Sequence, residues 1–489
     1  TMITLLLIFV PLAAAVLAYS AKNMRKVIRL ILLAGAALHS MLTLLAFTML
    51  DAGKTEELSF AWKETGLLGL DTLGMIFLSI TSLLFLIVSI HTLFWLPAEE
   101  AVDKDRVHNG TAHESGLLRE HIFLPCLLAF LSMMTLVICS RNFGLLWVAV
   151  EATTLVSAPL ICFHRSPHSL EAMWKYLLIC SVGIGLALFG TMLTGVAGQT
   201  ASGALGLNFD TLKENAGQLH TGWFKAAFIF ILVGYGTKMG LAPFHTWLPD
   251  AHSEAPGTVS ALLSGSLLNC SFLGIIRFCT ITPEVLRPFC NGLLVALGLL
   301  SLAVAAFFII RQSDFKRMLA YSSVEHMGLA VILWGIGAES VTMFHLCGHS
   351  VIKMTLFLTA GNILLAYGTR SVSAVGGMFG TIPKNAVIWI TGLLLICGTP
   401  PSPLFVTEFL LVRDAPLWLG VSVLVLLFAV FAGMSMACLR MAMGKSETLE
   451  KTSFPAKQAE RLWVMPFCAV VIALVSGTML LWILNMGRL

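Results

Sequence analysis

Lys238 sits inside FKAAFIFILVGYGTKMGLAPFHTWLP, an apolar run long enough to cross a bilayer. A charged side chain near the membrane centre costs about 3 kcal/mol on insertion scales. Such a lysine either serves a task at depth or snorkels to one interface. Gly240 and Pro243 follow at once and are expected to break the helix beside the charge. Irregular backbone at membrane depth is tolerated where it lines a cavity or a buried site. A buried cation at such a break reads as part of an ion path. Two carboxylates have comparable settings: Glu151 in FGLLWVAVEATTLVSAPLICF, and Glu408, five residues after Pro403 in TPPSPLFVTEFLLV. The plainer alternatives are an interfacial carboxylate for Glu151 and a capping or interface role for Glu408. Glu325 and His326 lie in LAYSSVEHMGLAVILW, where a pair that merely fixes packing is the plainer alternative.

His345, His349 and Lys353 are spaced four apart in MFHLCGHSVIKMTLFL. That spacing puts all three on one helix face, over a span of about 12 Å. A single histidine is usually a satisfied core residue; three titratable groups in a stripe read as a hydrated proton relay. Histidine suits the task because its ordinary pKa of about 6.5 lets it take and release protons near neutrality. The i, i+4 histidines also match helical zinc ligands, but the HExxH glutamate is missing and Lys353 would repel a cation, so no metal is expected. A buried lysine and a buried glutamate can work together. Burial disfavours the charged form of each, and their mutual attraction favours it. Making or breaking a Glu151–Lys238 pair would therefore load or release a proton.

The elements that position these groups follow from composition. The chain is 57% hydrophobic and 11% charged, with a mean hydropathy of +0.89; a soluble domain is about 25% charged. This is an all-α polytopic membrane protein. Runs of about 20 apolar residues suffice to span, and fourteen are expected, near 2–20, 27–50, 70–96, 121–139, 143–163, 172–196, 222–246, 256–279, 288–310, 317–337, 341–367, 385–411, 417–440 and 462–486. The first lacks a basic segment before it and reads as a retained helix, not a signal peptide. The seventh and the twelfth, with Pro400, Pro401 and Pro403, are interrupted alike. Paired interrupted helices point to inverted repeats. The organisation expected is 1–120 (helices 1–3 and a loop), 121–280 (helices 4–8), 281–440 (helices 9–13) and 441–489 (a loop and helix 14).

Lys22, Arg25, Lys26 and Arg29 follow the first run, and Arg311, Lys316, Arg317, Arg370, Lys384, Arg440, Lys445, Lys451, Lys457 and Arg461 fall in loops on the same side. The opposite loops hold few, such as Lys54, Lys63, Arg141 and Lys213. The positive-inside rule then puts both termini outside. The net charge of +4 follows from this bias and calls for no nucleic acid. Eleven scattered cysteines without a CxxC spacing argue against iron–sulfur ligation or structural zinc. No GxGxxG or P-loop occurs, so no cofactor is expected in this chain and redox chemistry would belong to partners.

TKMGLAPFHTWLPDAHSEAPGTVSALLSG, LAYSSVEHMG and TPPSPLFVTEFLLV resemble the signature segments of the antiporter-like membrane subunits of respiratory complex I, membrane-bound group 4 hydrogenases and Mrp antiporters. The likeness covers roughly residues 120–440. GTVSALLSGSLLNCSFLGIIRF and SSVEHMG look most like the hydrogenase-4 component F and formate-hydrogenlyase types. The resemblance implies fourteen helices with two inverted five-helix repeats and broken helices 7 and 12. It gives roles to Glu151, Lys238, Lys175, His326, His349 and Glu408; with the residue pattern above, the expected proton pathway is Glu151, Lys238, Lys353, Glu408, His326, His345 and His349, with Lys175, His245, Asn269 and Glu325 as secondary members. One departure concerns Asn269, in LLNCSFLG, where many relatives carry a helix 8 lysine; an amide cannot carry the proton as a charge, and Lys353 would take over that part.

The expected function is proton translocation in a redox-driven complex of the prokaryotic cytoplasmic membrane. Nickel–iron and iron–sulfur centres are expected in partner subunits, and the partners are other membrane subunits and a peripheral redox arm. The alternatives are one component of a multi-subunit Mrp-type sodium/proton antiporter and a non-pumping scaffold.

Overall fold

The computed structural model describes residues 2–22, 24–51, 59–60, 66–108, 117–200, 203–445 and 454–485; Lys54, Lys63 and Lys451 lie outside them. The helices are α1 (Met2–Ser20), α2 (Arg25–Asp51), α3 (Thr72–His108), α4 (Glu120–Cys139), α5 (Phe143–Ile161), α6 (Pro167–Ala197), α7 (Phe209–Glu214), α8 (Thr221–Met239), α9 (Trp247–Glu254) and α10 (Gly257–Leu262). They continue as α11 (Leu268–Thr280), α12 (Arg287–Ile309), α13 (Phe315–Gly335), α14 (Glu339–Tyr367), α15 (Met378–Thr381), α16 (Pro383–Ile396), α17 (Pro403–Asp414), α18 (Leu417–Met443), α19 (Phe454–Arg461) and α20 (Val464–Asn485). Among the described residues the only paired strands are two ribbons of two-residue strands.

Eleven helical stretches are long and apolar enough to cross a membrane among the described residues. They match eleven of the fourteen expected runs. The other three carry Lys238, the Glu325–His326 pair and Glu408. The seventh is α8 followed by a bend and the short α9, the tenth is α13, and the twelfth is split into α16 and α17. Polar residues and breaks, the marks of a site, lower the apolar signal of those segments.

Local chemistry explains the ends. Asn142 caps α5 by accepting from the Gly144 and Leu145 amides. Asp314 caps α13 through Lys316 N at 2.8 Å and Arg317 N at 3.1 Å, and Ser402 caps α17 with Pro403 in its first turn. These side chains satisfy amides that the first helical turn leaves without partners. Gly240 ends α8 in the left-handed region (φ 84°), which glycine adopts without steric cost.

A π-turn, Leu263–Leu267, joins α10 to α11, and residues 255–278 are buried throughout. This segment is the core strut. A Cβ at Gly257 would lie 2.5 Å from the Phe357 carbonyl oxygen, so the glycine lets α10 rest directly on α14. Apolar side chains such as Phe428 on α18 and Trp482 on α20 are exposed. Apolar surface on this scale is what a bilayer covers. At one end, Arg277 of α11 makes a forked pair with Asp71, which Arg141 joins at 3.3 Å.

Candidate functional site

The helix α8 delivers Lys238 in its last turn, just before the Gly240 bend, and its side chain is fully buried. Its Nζ donates to Thr154 Oγ1 on α5 (2.8 Å) and to Tyr176 Oη on α6 (2.5 Å). The ammonium also stands 4.4 Å from the centre of the Tyr176 ring and 5.9 Å from that of Trp247. Cation–π attraction of this kind gains strength where water is excluded. Tyr176 Oη in turn lies 2.6 Å from Ser157 Oγ.

Glu151 is one helical turn before Thr154 on α5, on the same side of the helix. Its carboxylate accepts from Ser181 Oγ of α6 at 2.7 Å, and its second oxygen is buried without a hydrogen-bond partner among the described residues. No ion pair joins Glu151 to Lys238 among the described residues. The direct partners of Lys238 are hydroxyls from α5 and α6. The sequence does not single out Thr154, Ser157 or Tyr176; Tyr176 is one of only five tyrosines, in an otherwise apolar run, and that is the signal that marks it.

A second cluster forms where α13, α14, α16 and α17 meet. His326, His345, His349 and Lys353 are all fully buried. The His326 ring centre is 5.4 Å from that of His345 and 5.3 Å from that of His349. His345 Nδ1 lies 2.8 Å from Thr407 Oγ1, on the residue before Glu408. Both ring nitrogens of His326 and of His349, Nε2 of His345, and one oxygen each of Glu325 and Glu408 lack partners among the described residues. Buried polar atoms left unpaired cost about 1–3 kcal/mol each, so a cluster this dense calls for water. Glu408 folds back over Gly398 at the gap between α16 and α17, where any side chain at position 398 would collide with its carboxylate.

Lys353 Nζ donates to the Leu319 carbonyl (2.7 Å) and to Ser322 Oγ, both on α13. Asn269 Nδ2 donates to the Gly265 carbonyl (2.9 Å) and to Ser350 Oγ (2.8 Å), and its Oδ1 is unpaired among the described residues. Asn269 thus stands between the two clusters, held to α14 one turn before Lys353.

Other expected members lie elsewhere. His245 sits in the bend after α8, with ring contacts to Phe308 and Tyr321. Lys175 is half-exposed and paired with Glu171 (2.7 Å) and Asp250 (3.1 Å). It lines a mouth of about 370 Å³ with Asp250, Glu254, Asp314, Arg317 and Arg370. Lys316, expected among loop cations, is instead fully buried, and its ammonium donates to the Ser253 (3.1 Å) and Ala255 carbonyls at the end of α9. An orphaned helix end needs donors, which accounts for a lysine there. No group of three or more metal-ligating side chains gathers among the described residues.

Residues 140–439 match the family described as NADH:quinone oxidoreductase/Mrp antiporter, TM. The chain is 39% identical over 295 residues to a hydrogenase-4 component F homolog of Methylacidiphilum infernorum, covering 59% of this chain and 62% of that protein. It is 31% identical over 308 residues to a Na(+)/H(+) antiporter subunit of Alkalihalophilus pseudofirmus, covering 58% of this chain and 37% of that one. These matches thus span less than two thirds of either relative. Its fold superposes on a chain of the membrane-bound sulfane sulfur reductase, an archaeal respiratory membrane complex, with a TM-score of 0.81 at 19% identity, covering 100% and 97% of the two chains. With the matched region spanning well over half of its length, the chain belongs to the family of membrane subunits shared by NADH:quinone oxidoreductases and Mrp antiporters.

Proposed function

We propose that this chain is a proton-translocating subunit of a redox-driven membrane complex, with a membrane-bound group 4 nickel–iron hydrogenase as the assembly. The observation that carries the reading is the pair of buried lysines, Lys238 and Lys353, whose ammonium groups meet only hydroxyls, carbonyls and aromatic faces among the described residues. Desolvation disfavours a charged amine, and a nearby carboxylate favours it. An amine with neutral partners is therefore one whose proton a moving carboxylate controls. Glu151, tied to Ser181 one turn from Thr154, is placed to do so for Lys238; Glu325, next to His326, serves Lys353.

The proton path in this reading enters at the mouth lined by Asp250 and Glu254, loads Lys238 under the control of Glu151, and crosses water around Asn269 to Lys353. It continues through His349, His326 and His345 to Glu408, at the gap between α16 and α17. Lys175 and His245 act at the edges of the route. The mouth lies on the cytoplasmic side, both termini lie outside, and helices 4–8 and 9–13 form inverted repeats. The nickel–iron and iron–sulfur centres sit in partner subunits of a peripheral arm.

The 39% identity to a hydrogenase-4 component favours this assembly, and the 31% identity to an antiporter subunit supports the Mrp alternative. Purification of the intact complex separates them. Nickel, iron and iron–sulfur subunits are the expected finding; small membrane subunits alone would assign the chain to an antiporter. In proteoliposomes of that complex, Lys238→Met is expected to assemble normally and abolish coupled proton uptake. Normal pumping by that variant would remove Lys238 from the route.

A further inference from the structure

A hydrogen-bond count around Lys353 leads beyond the route itself. Leu319 lies inside α13, so its carbonyl already accepts the helical amide of Ser323, and three side chains converge on the same oxygen: Lys353 Nζ at 2.7 Å, Ser322 Oγ at 3.2 Å and Ser323 Oγ at 3.2 Å. A carbonyl oxygen offers two lone pairs. The amide leaves room for one side chain, and Ser323 has an alternative partner: Ser264 Oγ, 2.8 Å distant in the π-turn Leu263–Leu267. All four side chains are fully buried.

We propose that the Ser323–Ser264 hydroxyl pair is a polarity switch that reports the charge on Lys353 to the π-turn, making both serines positioning residues for proton transfer. This inference rests on the proton-translocation reading. A charged lysine has three donors and no acceptor. It donates to Leu319 O and Ser322 Oγ; the helical amide and the ammonium then occupy Leu319 O, and Ser323 is pushed round to donate to Ser264. Once Lys353 gives up its proton, the amine gains a lone pair and Ser322 donates to it. Leu319 O then has room for Ser323, and Ser264 reverses to donate to Ser323.

The direction of the bond between α13 and the π-turn therefore follows the charge on Lys353. With Lys353 charged, the Ser264 proton is free to donate and one of its lone pairs is taken; with Lys353 empty, that proton is engaged and both lone pairs are free to accept. An incoming proton needs an acceptor and is repelled by an outward O–H, so the switch favours its arrival when Lys353 can receive it. The π-turn is tied to the same lysine from its other side. Asn269 holds the Gly265 carbonyl at 2.9 Å and Ser350 at 2.8 Å, and Ser350 is one turn before Lys353 on α14. The ring of hydrogen bonds so closed passes through three segments. π-turns occur often at functional sites in helices.

The test uses the intact complex in proteoliposomes, with protons moved per redox turnover as the readout. Ser323→Ala and Ser264→Ala are each expected to lower that ratio about threefold to tenfold, the size of one hydrogen bond. The double variant is expected to fall no further than either single one, because both remove the same link. Ser323→Thr, which keeps the hydroxyl, is expected to pump normally, whereas a role in packing alone would not restore it. Ser323→Cys replaces the alanine variant if assembly fails, with a partial loss expected from its weaker donor. Wild-type ratios in both single variants, or losses that multiply in the double one, would overturn the switch. Lys238→Met measured alongside separates the two ideas: if it is inactive while the serine variants pump normally, only the switch is lost, and if it pumps normally, the proton reading itself is lost.

Discussion

The two lysine clusters solve the same physical problem differently. Around Lys238, α5 and α6 supply Thr154 and Tyr176 as direct partners, and among the described residues Glu151 is the one member with a buried oxygen left over. Around Lys353, the amine is also held, but among the described residues both ring nitrogens of His326 and His349, and one oxygen each of Glu325 and Glu408, lack a partner. The first cluster is therefore a nearly closed hydrogen-bonded set that fixes one amine. The second is open, with acceptors and donors that water must join. A closed set suits controlled loading of a single proton, and an open one suits passage along several sites. The difference comes from side-chain length and type: short hydroxyls fill the space near Lys238, and imidazoles with two nitrogens each cannot all be matched near Lys353.

If the clusters act in series, Lys353→Met should abolish coupled translocation as fully as Lys238→Met. Pumping measured in proteoliposomes decides this, and substantial pumping by one variant alone would place the two amines on separate routes. Glu408→Gln is expected to impair pumping more than Asn269→Ala, by about tenfold or more, since only the former deletes a titratable group. Equal, near-normal ratios in both would move the route away from Asn269 and Glu408. Tyr176→Phe tests how closed the first cluster is. Losing one hydrogen bond to Lys238, together with its link to Ser157, should cut pumping about threefold to tenfold without loss of assembly; an unchanged ratio would make Tyr176 a packing residue.

The smallest effect lies outside both clusters, at the pin that holds α11 in place. Burial pushes the Asp71 carboxyl up, and the hydrogen bonds and charge of Arg277, with the Gly74 amide and Arg141, outweigh it and bring the group from 3.8 down to about 2. A carboxyl lowered on folding stabilises the protein above its ordinary value of 3.8 and loses that stabilisation as pH falls through about 2. With a third of the side chain exposed, this amounts to about 1–2 kcal/mol. Thermal midpoints in detergent should drop between pH 5 and pH 2 more steeply for the wild type than for Asp71→Asn. Parallel slopes would show that the pin contributes nothing.

Much of the architecture is legible in the residues. Hydropathy alone locates eleven of the spans that the structure shows, since about 20 apolar residues in a row have few other uses. The breaks after Lys238 and around Pro400–Pro403 are legible too, because Gly240 and Pro403 mark a left-handed residue and a helix first turn. The three runs that fall short of a plain span each hold site residues, whereas α14 carries three and still passes as one, because long apolar flanks offset them. A site needs polar atoms where a span needs apolar ones.

Lys316 shows where the reading from sequence stops. Next to Arg317, and two residues past Asp314, it looks like one more cation of a basic loop. The fold instead turns it inward to cap α9 through two carbonyls. Lys175, expected as a secondary member of the path, is half-exposed and paired with Glu171 and Asp250. Residue type and spacing along one helix fix which face a group occupies. What that face meets depends on another helix, often more than sixty positions away, as Lys238 and Tyr176 are.

The membrane class, the approximate spans, the two breaks and the kinds of group that can carry a proton are all written in local hydrophobicity and in the chemistry of single residues. Nothing along the chain says that Glu151 answers to Ser181 while Lys238 answers to Thr154 and Tyr176, or that three side chains compete for the Leu319 carbonyl. Those pairings exist because the folded bundle sets α5, α6 and α8 side by side and leans α14 on α13. A hydrogen bond requires two atoms within about 3 Å and suitably aimed, and it is the packing of distant helices, not the order of residues along one of them, that brings such atoms together.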